Sequence, residues 1–208
     1  MEEKELSGQE SLRLIQQMIL TAKTEQKDDG KGWIMWGWLL FLASVLTVLS
    51  NHYHWFKAEY LFWNAFAIVS ILLFLVRMIM KSSNRKTAVV RTYTKDLFDR
   101  LNRGFFISLV FIIIGINVAD IPLAGFSLLV NLYAFWILIY GSALNFKPSI
   151  IAAYVTWAIG IASLFMKTFE MVMVMHALAA LCGYIIPGHI ANNEFKKIQT
   201  RDKELQGV

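Results

Sequence analysis

Cysteine, proline and charge are what this chain has least of. The single cysteine, Cys182, can close no internal disulfide and gives no thiol metal site. The three prolines stand at turns or ends of apolar stretches, as Pro122, Pro148 and Pro187. Only 17% of the residues are charged, and they are clustered rather than spread; soluble domains carry about 25%. The first thirty residues are polar and hold no apolar core of a cleavable signal before Trp33. Motifs for chemistry are also missing. There is no glycine-rich phosphate loop, no H-E-x-x-H pair, no G-x-S-x-G elbow and no carboxylate pair inside an apolar stretch. The chain therefore reads as non-enzymatic and in need of no cofactor.

What is present is apolar mass. Of 208 residues 57% are hydrophobic, and the mean hydropathy is +0.51. Continuous apolar runs without period-2 alternation exclude a transmembrane barrel and leave helices, since backbone polar groups cannot stay bare in lipid. A crossing needs about 20 apolar residues. Six stretches meet or approach that length, at about 33–50, 58–80, 104–120, 123–144, 148–166 and 170–188. The expected fold is an all-α polytopic membrane protein, with six transmembrane helices in three hairpins and amphipathic cytoplasmic helices. Gly104 to Leu144 carries one charge in 41 residues, Asp120, so it is divided at Ala119-Asp120-Ile121-Pro122. Pro148 suits a helix start, and Pro187-Gly188 is expected to stop the last helix.

Three segments lie outside the apolar domain of residues 33–188. Residues 1–32 begin with Ser7-Gly8-Gln9-Glu10, which has capping-box spacing. Leu12, Ile15 and Ile19 follow at helical spacing, and Asp28-Asp29-Gly30 is a stop signal. Residues 81–103 form a basic connection with Arg85, Lys86, Arg91 and Lys95, and Val90, Tyr93, Leu97 and Leu101 share one helical face. Residues 189–208 are a basic tail. Eighteen of the 20 Lys and Arg fall on one side of the implied topology, leaving Lys57 and Lys167 on the other. Positive charge marks the cytoplasmic side, so both termini are expected there.

Polar side chains inside spanning helices are costly and are candidate sites by default. Asn64, Asn117, Asn131 and His176 fall at similar depth in the outer half of the expected bundle, with Asp120 at its rim. If they converge they line a polar cavity; the plainer reading is that each bonds a neighbouring helix, a contact averaging ~0.6 kcal/mol. His52-x-His54 offers no third ligand for a metal. Met171, Met173 and Met175 share no helical face and read as filler. The basic face of 81–103 fits anionic headgroups, at about 1 kcal/mol per Lys or Arg, or a soluble partner. No DNA-binding pattern is present. The N-terminal helix has a nearly neutral polar face, which suits another helix as well as a membrane surface.

Trp36-Gly37-Trp38, Asn145-Phe146-Lys147-Pro148-Ser149-Ile150-Ile151 and Tyr184-Ile185-Ile186-Pro187-Gly188, behind a short amphipathic N-terminal helix, carry a resemblance. Nearly the whole chain resembles a family of uncharacterised bacterial six-span inner-membrane proteins. The resemblance implies a bacterial cytoplasmic membrane location. Members are often encoded beside small winged-helix regulators, which implies signalling, and the family brings no catalytic residues. The expected function is a sensor or scaffold that couples the membrane to a cytoplasmic regulatory protein, with a second copy of the chain as a further candidate partner. The competing expectation is a small transporter or channel with a polar path through Asn64, Asn117, Asn131 and His176.

Overall fold

Long apolar runs without alternation form helices, and every regular element of the computed structural model is helical among the residues it describes, 29–56, 60–83, 93–119 and 121–206. The elements are α1 (Lys31–Tyr53), α2 (Leu61–Ser83), α3 (Tyr93–Val118), α4 (Pro122–Ala143), α5 (Lys147–Ser163), α6 (Phe169–Ala180), a π-helical turn (Leu181–Ile185) and α7 (Ile186–Gln206). Among the described residues, four stretches are long and apolar enough to cross a bilayer: α1, Arg100–Val118 of α3, α4, and Phe169–Thr200. α5 has 17 residues, about 25 Å at ~1.5 Å per residue.

Local chemistry sets the helix starts. Pro122 and Pro148 each stand in a first turn, where the missing N–H costs nothing. Thr168 caps α6 by accepting from the Met171 amide at 3.4 Å, with Glu170 in the positive first turn. Gly30, with φ 68°, turns the chain into α1 in a conformation that favours glycine.

The helices are arranged as an open ring, in the spatial order α2, α1, α6, α5, α4, α3. α4 and α5 pack over the greatest length, and α1 packs on α6 and the π turn. Small side chains permit this closeness: Ala43 and Ser44 on α1, Ala152 and Ala153 on α5, Ala179 and Ala180 on α6 are all buried. Several buried hydroxyls bond within their own helices or across them, while Ser50 Oγ and Ser70 Oγ are buried without a partner. Ser44 Oγ donates to the Leu40 carbonyl at 2.8 Å, Thr156 Oγ1 to that of Ala152 at 2.7 Å, and Ser163 on α5 to Ser127 on α4 at 2.7 Å. The ring does not close. No described residue of α2 has its Cα within 8 Å of one on α3.

Two expectations are corrected. Pro187-Gly188 does not stop the last helix, because α7 continues through it to Gln206. Pro187 cannot donate to the turn before it, and the preceding turn widens so that the Ile186 N–H reaches back to the Leu181 carbonyl. Gly188 is a crossing point: a Cβ there would lie 2.9 Å from Ile34 Cγ1 and 3.1 Å from Trp33 Cβ. The Asn192 amide on α7 donates to the Asp29 carbonyl at 2.6 Å and ties the same crossing. Tyr93 to Arg103, the latter part of the basic connection, are helical and continuous with the apolar stretch that follows, as the single helix α3 from Tyr93 to Val118. Second, Met173 is no filler. It is fully buried and accepts from Trp63 Nε1 at 2.9 Å.

Candidate functional site

The gap between α2 and α3 opens onto a cavity of about 530 Å³. α2 contributes Trp63, Asn64, Phe66 and Ser70, and α3 contributes Asn102, Phe105, Leu109 and Asn117. Trp36 and Leu40 of α1, Phe126, Leu129, Tyr133 and Trp136 of α4, and Tyr184 of the π turn form the floor. The antiparallel course of α2 and α3 sets Asn64 and Asn117 at one end and Asn102 towards the other. No lining residue among those described carries a charge.

Behind the floor sits His176, 1% exposed on α6. Three rings that line the cavity also pack on it: Trp63 at 4.9 Å, Tyr133 at 5.7 Å and Phe126 at 5.8 Å between centroids. Neither imidazole nitrogen has a hydrogen-bond partner in the protein. A neutral imidazole offers one donor and one acceptor, so both are left unmade one ring's thickness from the cavity. Ser70 Oγ, on the lining itself, is likewise buried and unpartnered.

The sequence-derived polar set is divided by the fold. Asn64 and Asn117 share the cavity, and Asn117 spends its amide on the Ile113 carbonyl at 2.7 Å. Asn131 does not line it. That side chain accepts from Trp157 Nε1 on α5 at 2.8 Å. Asp120, Leu12, Ile15, Ile19, Arg85, Lys86 and Arg91 lie outside the described residues, and Lys95 is in α3 with its side chain outside them. Sequence reasoning passed over Ser70, Asn102 and the aromatic floor. Ser70 is a polar residue in an apolar run and was open to the rule that singled out Asn64. Asn102 was hidden by its assignment to the cytoplasmic connection.

A smaller cavity of about 180 Å³ lies where α1 starts and α4 ends, among Trp33, Tyr140, Asn145, Ser149, Pro187 and Glu194. Trp33 packs on Tyr140 at 4.8 Å there.

Compared with known proteins, the chain matches no family, no curated protein and no solved structure.

Proposed function

We propose that this protein is a non-enzymatic sensor or scaffold of a bacterial cytoplasmic membrane, spanning it six times with both termini in the cytoplasm. In this reading α2 and α3 are the moving parts. The supporting observation is that these two helices flank a cavity of about 530 Å³ without touching each other, α3 held by α4 and α2 by α1 and, through Trp63, by α4 and α6. They are also the helices that the basic connection joins. Material held between them would alter their separation, and the connection would report it to a cytoplasmic partner assisted by residues 7–27. Anionic headgroups on the cytoplasmic leaflet would attract the same basic segment.

The transporter reading draws support from Asn64 and Asn117 sharing that cavity. It is weakened because Asn131 is engaged with Trp157, and His176 lies behind aromatic rings rather than on the lining.

The test is purification of the tagged full chain from native membranes in mild detergent, with mass spectrometry of what stays bound. A stoichiometric soluble protein, lost when residues 1–27 are deleted, is the expected result. A homo-oligomer free of any partner would overturn the sensor reading in favour of transport.

A further inference from the structure

We propose that the cavity between α2 and α3 binds one uncharged membrane lipid, a long hydrocarbon chain with a hydroxyl or carbonyl head, seated with its head at the Asn64–Asn117 end. This names what the proposed sensor detects, and its regulatory meaning rests on that reading.

Access comes first. Among the described residues, one side of the cavity is bounded by two helices that do not meet, so in a bilayer its opening faces hydrocarbon. Size and shape come next. A volume of about 530 Å³ lies within the ~300–1,000 Å³ of small-molecule sites. Asn102 and Asn117 mark its extent along α3, about 22 Å at ~1.5 Å per residue. That is most of a hydrocarbon core ~30 Å thick. An extended chain fits this shape better than a compact solute does.

The lining chemistry selects the head. Without a described charged side chain on the lining, a phosphate or carboxylate would be buried unpaired, which is strongly unfavourable. A neutral oxygen head needs only hydrogen bonds, and the wall holds unspent ones. Asn117 uses its amide on Ile113 and keeps its carbonyl oxygen as an acceptor. Asn64, exposed on the facing wall, adds a second amide at the same end. Prenols and quinones on one hand, and glycerides on the other, share the chemistry required.

The test uses the full chain in phospholipid vesicles with two photoreactive probes: a diazirine-bearing long-chain alcohol, and a phosphatidylcholine carrying the diazirine on the same chain. Labelled peptides are mapped by mass spectrometry. The expected result is labelling of α2 and α3 by the alcohol in clear excess over the phospholipid. Leu109→Trp, which fills the cavity, should abolish it, whereas Phe135→Trp, on an exposed face of α4 away from the lining, should not. Should Leu109→Trp fail to fold, Asn64→Leu serves instead. Loss of one neutral hydrogen bond should weaken labelling about three- to tenfold. Competition by an unlabelled prenol or by a diacylglycerol supports the proposal and tells the two sources apart. Labelling that neither competes for, equal labelling by the phospholipid, or indifference to Leu109→Trp and Asn64→Leu would overturn it. Partner recovery is read on the same samples. A partner retained by Leu109→Trp, when labelling is lost, keeps the lipid site and removes sensing. A partner released by Leu109→Trp supports both.

Discussion

Gly37 and Gly115 show how a residue's role depends on what stands opposite it. Both are glycines within apolar stretches, and hydropathy alone does not tell them apart. A Cβ at Gly37 would meet Ile185 Cγ1 at 2.7 Å and Tyr184 Cβ at 2.8 Å, while one at Gly115 meets nothing within 4 Å. Gly37→Ala should therefore destabilise by about 1–3 kcal/mol through overpacking. Gly115→Ala should stabilise by up to about 1 kcal/mol through helix propensity. Thermal unfolding in detergent measures both, and equal shifts of the same sign would contradict the packing described. His176 gives a second test. Its two bare nitrogens sit among Trp63, Phe126 and Tyr133, and an unmade buried hydrogen bond costs about 1–3 kcal/mol. His176→Phe should raise the melting temperature. A clear fall would mean that the imidazole has a hydrogen-bond partner in the folded protein.

Among the elements, α2 and α3 differ from the rest. Arg100–Val118 buries none of its residues, whereas α4 has 44% of its most apolar window buried. A helix with little packing on it moves more readily. Spin labels on Ile71→Cys and Val110→Cys, in a Cys182→Ala background, straddle the cavity. They should give a broad distance distribution that shifts when a neutral lipid is added. A control pair on α4 and α5, Phe135→Cys and Tyr154→Cys, should give a narrow one that does not. Two narrow, unchanging distributions would remove α2 and α3 as moving parts. The element boundaries also show where hydropathy stops being informative. Ala119 to Pro122 separates two helices, and Pro122 at a helix start follows from its fixed φ and absent N–H. Tyr93 to Arg103 reads as polar, yet it continues the apolar helix after it, because the backbone bonds of a helix do not change where its surroundings do.

At the scale of the whole molecule the prediction concerns orientation. From the charge bias, Lys147 is expected on the cytoplasmic side and Lys167 on the outer side. With Cys182→Ala as background, Lys167→Cys should react with a membrane-impermeant maleimide on intact cells. Lys147→Cys should react only after permeabilisation. The reverse pattern would invert the topology and place the Asn64–Asn117 end of the cavity in the cytoplasmic half.

The sequence by itself determined that the described residues form helices, and nearly where α1, α4 and α5 begin and end, though not where α3 begins or where the last helix stops. Both follow from local properties: apolar runs, proline, and the few turn residues between them. It also singled out Asn64 and Asn117 as polar groups in apolar surroundings. Only the tertiary structure decided that these two share a cavity while Asn131 is spent on Trp157. It alone made Gly188 a crossing point rather than a stop, and it alone left α2 and α3 apart. The reason is physical. Hydropathy and propensity belong to a segment, whereas a cavity is a property of the faces that helices distant in sequence turn toward one another.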